Sequence, residues 1–460
     1  MNAKQQLIVK SVDAHRQEIL DAERWIWQHP QVGYTEWQAN EYLIERFEAM
    51  GYKLVRADQD PNYGKIPGFY TDVDTGKPGP CLAIMGELDA LDIANHPESV
   101  NGMTHCCGHH AQASGMLGVA AALKEPGALD GLSGKIRLML VPAEEMIQLA
   151  YREELRKKGT ISYMGGKVEF LHRGYFDGVD LAIMVHTMSA PEGVLLACGY
   201  GSNGCMSKVI TYKGKSSHAG GAPHLGINAQ YAAMLGLQAC NDLRETLQEK
   251  DYIRFHPIMK GVNCAVNIIP DEMVIESYVR GKTLEAMIRE NKKFNRALAG
   301  GALAMGAGVT LCDRPGYSPE IHDPQFMKVV EECCCDLVGK EHVAFDYNKW
   351  GTGSSDFGDL TCVMPGVQFN AAGAIGTGHG IDYYIADPDK ACVNAAKAQL
   401  FVADKLLCDD AACAKKIVAD YKPQFASVKD YFDAINQLML DKDAVVYDEN
   451  GNATIDFQNC

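Results

Sequence analysis

Four short apolar runs restrict what this chain can fold into more than any other feature: GFYTDVD, PCLAIMGELDAL, GKIRLMLVPAEE and VDLAIMVH, between residues 68 and 186. Helical patterns such as ASGMLGVAAALKE lie between them. Strands that alternate with helices require crossover connections, so the runs predict an α/β domain: a mostly parallel sheet covered by helices on both faces. Upstream, residues 3 to 28 carry the 3.6-residue apolar period of a helix, and WQANEYLIERFEAMG reads as a second amphipathic helix closed by Gly51.

Near residue 203 the pattern changes. CMSKVITYKGK alternates like a half-exposed strand, NAQYAAMLGLQACNDLRETL is helical, and VNCAVNIIPDEMVIESYVRG reads as two strands joined at Pro270–Asp271. A helix in KTLEAMIRENKKFNRALAGGALAMG and a strand in GVTLCDRPG follow. This β-α-β-β-α-β order fits a small two-layer domain. The first pattern resumes after Pro315, and residues 408 to 460 add helical patterns and a polar end. A chain of 460 residues also exceeds what one core normally supports. The expected organisation is a catalytic domain in two parts, 1–202 and 315–460, the second with a C-terminal extension, interrupted by a small domain at 203–314.

A formal net charge of −16 repels nucleic acid and anionic membranes, so neither is expected as a partner. The first twenty residues lack the apolar core of a signal peptide, and no run is long and apolar enough to span a bilayer. Sixteen cysteines in so long a chain read as reduced thiols in the cytoplasm rather than a disulfide scaffold. The triplet Cys333–Cys335 falls in a helical pattern and is read as core and boundary filler.

In open α/β sheets, ligands bind beyond the carboxyl ends of the strands. Glu87 and Asp89 follow CLAIM, Glu144 and Glu145 follow IRLMLVPA, His186 follows DLAIMV, and His379 lies in AAGAIGTGHGID. The cluster HCCGHH (105–110) falls between the first two of these runs, just before a helix. Taken singly, each has an ordinary explanation: a capping loop, a solvated turn, a hydrogen-bonded histidine. Their recurrence at neighbouring strand ends points to one shared site. Cys107 and His109, two apart across a glycine, together with Glu145, His186 and His379, supply the thiolate, imidazole and carboxylate donors of a zinc or manganese site. Neighbouring side chains of an extended segment point opposite ways, so of Glu144 and Glu145 one can bind metal while the other shuttles a proton. The chain has no GxSxG, HExxH or GxxxxGK[ST] motif and no CxxC pair in the cluster.

In this order and spacing, HPQVGYTEWQA, GELDAL, HCCGHH, VPAEE, FDGVDLAIMVH, SSHAGGAPHLGINA, NIIPDEMVIESYVRG, GSSDFG and TGHG resemble the two-metal aminoacylase/carboxypeptidase family of zinc peptidases. The likeness is strongest to the amidohydrolase branch of indoleacetyl-amino-acid and aminobenzoyl-glutamate hydrolases, and it covers roughly residues 15 to 405. It implies a catalytic α/β domain with an inserted lid that forms a homodimer. It implies two divalent ions per subunit on Cys107, His109, Glu145, His186 and His379, with the cysteine bridging. Glu144 is then the general base and acid, and Asp89 stands behind a metal-binding histidine. His218, in SSHAGGAP, resembles the histidine that reaches a neighbouring subunit's site and stabilises the oxyanion. Asn267 resembles a lid residue that contacts substrate. Arg280 is read either as a binder of a substrate carboxylate or as a salt bridge on a sheet face.

Three departures stand out: His110 where the family has Asp or Asn, Glu87 where it has Asp, and GHGIDYY after the last histidine. The expected function is metal-dependent hydrolysis of the amide bond of a small N-acyl or aminobenzoyl-type amino acid. The alternatives are a dipeptidase or carboxypeptidase on the same scaffold, or a metal-binding homologue without hydrolysis.

Overall fold

A computed structural model describes residues 1–262 and 264–456. The chain divides into two compact units: Met1–Gly201 with Ile321–Trp350 and Asp359–Ala426, and Ser202–Glu320 with Gly351–Gly358 and the described residues from Ser427 onward.

The first unit is built on a mostly parallel sheet. At its centre, Cys81–Glu87 lies between Lys135–Val141 and Leu181–Met188, and Gly366–Ala372 flanks the last of these, all pairing parallel. Phe69–Asp74 pairs antiparallel with Lys135–Val141, and the short strand Val55–Arg56 pairs antiparallel with it in turn. Every residue of the Cys81 strand is buried, as strands covered on both faces require, whereas Phe69–Asp74 alternates between buried and open positions. The register sets Glu87 opposite Val141 and Met85 opposite Met184, so these strands stop at the same end. Helix His109–Leu123, buried along its whole length, packs on the Cys81 strand. Gly86 permits that approach, since a Cβ there would stand 2.8 Å from Met116 Cγ. The single helix expected over 3–28 is two, Ala3–Ala14 and Arg16–Trp27, broken where His15 leaves helical geometry (φ −101°, ψ 9°).

The second unit has an antiparallel sheet. Glu272–Gly281 pairs with Gly204–Lys213, which pairs with Gly308–Tyr317. Helices Ala229–Asp242 and Leu284–Ala304 pack on each other and on this sheet. The strand expected in VNCAVNII is not there. The partner of Glu272–Gly281 is Ile258–Gly261, upstream, and the described part of VNCAVNII is exposed turn and loop. Ile258 and Met259 carry apolar side chains into register with Glu276 and Ile275, and Pro270 then confines the following strand to start at Glu272.

The assignment of all of 315–460 to the first part of the chain is corrected. Leu440–Tyr447 pairs antiparallel with Gly308–Tyr317 and Ala453–Ile455 pairs with it in turn, so the C-terminal segment extends the second sheet. Its strand covers backbone groups that Gly308–Tyr317 would otherwise leave open. Residues 351–358 also group with the second unit. Among the described residues, no helix is long and apolar enough to cross a membrane.

The second unit buries a charged network. Lys208 Nζ donates to Asp313 and to Asn295 Oδ1 (2.5 Å), and Asn291 Nδ2 donates to Asp313 Oδ2 (2.7 Å). Removing one partner strands the other charge in a medium that solvates it poorly. Asp313→Ala should therefore lose about 3–5 kcal/mol in denaturant unfolding, and Lys208→Met/Asp313→Leu together should recover most of that loss.

Candidate metal centre

The cluster begins with a turn only glycine makes cheaply. Gly108 sits in the left-handed region (φ +90°) and caps helix His109–Leu123, and a Cβ there would collide with Thr187 Oγ1 and the Tyr383 hydroxyl. Across this turn, Cys107 and His109 reach the same space: with His186 they offer three ligand atoms within 4.8 Å of one another. Cys107 stands in a second such trio with Glu145 and His379. His109 stands in a third with Glu87 and Glu144. Five of the strand-end residues singled out from the sequence, Glu87, Glu144, Glu145, His186 and His379, thus converge with Cys107 and His109.

The contacts orient the donors. Asp89 accepts from His109 Nδ1 at 3.0 Å, through both its carboxylate and its carbonyl, which leaves Nε2 facing inward. Asp89 also accepts from Glu145 N (2.8 Å). His186 Nδ1 is held by the Thr187 carbonyl (2.7 Å), and its Nε2 lies 3.3 Å from Cys107 Sγ. His379 Nε2 lies 2.9 Å from Glu145 Oε1. His109 Nε2 lies 3.1 Å from Glu87 and 3.9 Å from Glu144. His109 Nε2 and Glu145 Oε1 are nonetheless buried without a hydrogen bond of acceptable alignment. Buried polar atoms left in this state are what a ligating site offers.

The electrostatics favour a cation. Glu87, Asp89, Glu144, Glu145 and Cys107 face His109, His186, His379 and Lys167. Burial opposes a thiolate at Cys107, but His186 and His109 outweigh it and hold the thiol well below its ordinary range. Burial likewise opposes charge on His109, and Glu87, Cys107 and Asp89 outweigh it, raising the imidazole well above its ordinary value. Burial and the Cys107 charge push Glu145 up.

Lys167 escaped the sequence reading. Fully buried in a short helix, it pairs with Glu87 Oε1, while Gln112 Nε2 donates to Glu87 Oε2 (2.7 Å). Nothing local in GKVEFLH marks this lysine as inward-facing. The longer Glu87 side chain therefore meets a cation and an amide as well as His109. His110, another of the departures, takes no part in the trios. It packs against Trp27 (ring centroids 4.9 Å) with Nε2 3.1 Å from Glu23, because adjacent residues on a helix point apart. Tyr383, also unforeseen, shares a 2.6 Å hydrogen bond with Thr187 Oγ1. Together with Cys107, His186, Met188 and His379, these two line an open cleft.

His218, Asn267 and Arg280 lie in the second unit. His218 is exposed, and its Nδ1 accepts from Gly220 N (3.1 Å) and Gly221 N (2.8 Å), which places the ring proton on Nε2. Asn267 is exposed, and its carbonyl accepts from Ala219 N (3.0 Å). Arg280 makes no salt bridge among the described residues: its guanidinium lies 5.5 Å from the Tyr278 ring, and its Nε is buried without a hydrogen bond.

Residues 83–404 match the model of peptidase family M20/M25/M40, a span that contains the whole cluster. The chain belongs to this family. As an M20 protein it is a metal-dependent hydrolase of amide bonds. It is 28% identical over 362 residues to a mouse (Mus musculus) Xaa-Arg dipeptidase, covering 75% of this chain and 74% of the relative. It is 26% identical over 318 residues to the indole-3-acetyl-aspartic acid hydrolase of Enterobacter agglomerans, covering 66% and 67%. The M20 fold is shared with a dinuclear metal-binding peptidase of Bacillus subtilis, at a TM-score of 0.62 and 20% identity over 86% of this chain and 99% of that one.

Gly108→Ala should destabilise the protein by at least about 1–2 kcal/mol, the cost of a left-handed non-glycine residue. The clash with Thr187 and Tyr383 adds to this, and thermal denaturation would measure the sum.

Proposed function

We propose that this enzyme hydrolyses the amide bond of an N-acyl amino acid, using two divalent ions, zinc or manganese, on Cys107, His109, Glu145, His186 and His379. The observation that carries this reading is the position of Cys107 Sγ in two donor trios at once, one with His109 and His186 and one with Glu145 and His379. A thiolate shared between a pair of imidazoles and an imidazole–carboxylate pair suits borderline-soft divalent ions. The inward Nε2 of His109 and the buried, unaligned Glu145 Oε1 fit such ions.

When bound, the ions supply Lewis acidity toward the scissile carbonyl and a water acidified to a pKa near 7. The chain supplies the rest. Glu144 stands beside the Cys107 trios, not within them, and takes the proton of the attacking water and returns it to the leaving amine. Such acid–base help is worth about 10²- to 10⁴-fold in rate. Asp89 fixes the His109 tautomer and the Glu145 backbone. His218, with its proton on Nε2, is the hydrogen-bond donor for the oxyanion in a neighbouring subunit's site. Asn267 contacts the substrate, and Arg280, free of a salt bridge, binds its carboxylate.

Dipeptide hydrolysis is the second reading. The mouse relative's dipeptidase activity favours it, as the Enterobacter relative's favours N-acyl substrates. We assign a homodimer through the second unit. Its helix Ala229–Asp242 exposes Tyr231, Met234 and Leu235, and Ile258–Gly261 is an edge strand exposed along its length. The fifteen cysteines of the described residues are all free thiols, in keeping with the cytoplasm.

Metal analysis should find two divalent ions per chain, and a chelator should abolish hydrolysis until metal is returned. One ion or none would overturn the assignment. Glu144→Gln should retain both ions and lose about 10²- to 10⁴-fold in kcat against N-acyl amino acids and dipeptides assayed side by side. Turnover at the native rate would remove Glu144 from its role. Met234→Asp should shift the native mass from dimer toward monomer in sedimentation.

A further inference from the structure

The motif HPQVGYTE (29–36) belongs to none of the donor trios, yet its residues meet directly behind Glu144. The segment after strand Lys135–Val141 must present Glu144 toward His109 and Glu145 toward Cys107. It does so through a backbone that needs holding, because Ala143 is left-handed (φ +58°) without being glycine. Such a residue costs about 1–2 kcal/mol and persists where its surroundings over-determine it.

The peptide groups on either side of Glu144 are each gripped. Ala143 N donates to Glu36 Oε1 at 2.7 Å. The Arg152 guanidinium donates to the carbonyl of Ala143 (Nη1, 3.4 Å) and to the carbonyl of Glu145 (Nη2), with a further bond to Met164 O (2.6 Å). Asp89 takes Glu145 N. Glu36 is fully buried and Arg152 is 1% exposed. The two do not bond to each other, and Glu36 Oε2 and Arg152 Nε are left without partners. Their hydrogen bonds go instead to the backbone around Glu144.

The rest of the motif makes room for this grip and anchors it. A Cβ at Gly33 would overlap Arg152 Nη2 and come within 2.9 Å of Ala143 Cα. Gln31 O accepts from Ala90 N (2.8 Å), which ties the motif to the residue after Asp89. The Tyr34 hydroxyl donates to Tyr163 O (3.0 Å), and the Tyr34 ring lies 5.5 Å from the Arg152 guanidinium. Burying a guanidinium costs several kcal/mol, and burying a carboxyl group beside it adds to that, a poor choice for simple packing.

We propose that Glu36 and Arg152 are positioning residues for Glu144, holding the 143–145 backbone so that its carboxylate meets the attacking water in line. This rests on Glu144 being the proton-transferring group. The test uses full-length, metal-loaded enzyme and the best substrate from a panel of N-acetyl amino acids and dipeptides. Metal content, thermal midpoint, and kcat and KM per loaded site are measured. Glu36→Ala and Arg152→Met should each keep two ions and a KM within about threefold of native, while kcat falls about 10- to 100-fold, the scale of a small misplacement. Glu36→Gln, whose amide oxygen still accepts the Ala143 N–H, should restore kcat to within about threefold. If either disruptive variant does not fold, Glu36→Asp and Arg152→Lys keep the carboxyl group and the cation and withdraw the reach, and the same loss confined to kcat is expected.

Native kcat per loaded site in the folded variants, with Glu144→Gln inactive, overturns the positioning role and leaves the Glu144 reading standing. Losses explained wholly by unfolded or metal-free protein overturn it equally. Native turnover by Glu144→Gln overturns both.

Discussion

The first unit depends on gathering more negative than positive groups into one cluster at the strand ends, most of it withdrawn from water. Glu87, Asp89, Glu144, Glu145 and Cys107 meet there because parallel strands in register end together and the Gly108 turn brings the helix start over them. An assembly of this kind is costly unless cations share the space. Imidazoles and Lys167 provide part of the compensation. The trios centred on Cys107 provide the geometry for the rest.

Two of the three departures from the family pattern, Glu87 and His110, have different consequences, and position explains why. Glu87 ends a strand at the site, so its extra methylene carries the carboxylate to His109, and the structure answers with Lys167 and Gln112. His110 is one step along a helix from His109 and so faces Trp27 and Glu23 instead. A substitution beside a ligand matters here only when the backbone aims it at the site.

The second unit also holds a buried charge, but to a different end. Lys208, Asp313, Asn291 and Asn295 hydrogen-bond one another between sheet and helix. A network of that type fixes how a helix sits on a sheet. In the first unit, Glu36 and Arg152 bind backbone, not each other, and so act on where Glu144 stands.

Much of this was legible in the chain. Continuous apolar runs such as CLAIM and LAIMV dictated buried parallel strands, because only such strands are covered on both faces. The polar residues closing those runs marked the site, since parallel strands end on one side. Spacing across Gly108 paired Cys107 with His109. Lys167, Arg152 and Glu36 could not be read this way. Each lies in a segment whose local pattern is ordinary, and its role comes from a partner distant in sequence. The same holds for Leu440–Tyr447, whose place beside Gly308–Tyr317 follows from pairing that no local period encodes. The sequence alone determined which side chains stand at strand ends. Only the tertiary structure decided which distant charges hold them, because burial and long-range contact, not local periodicity, set those partners.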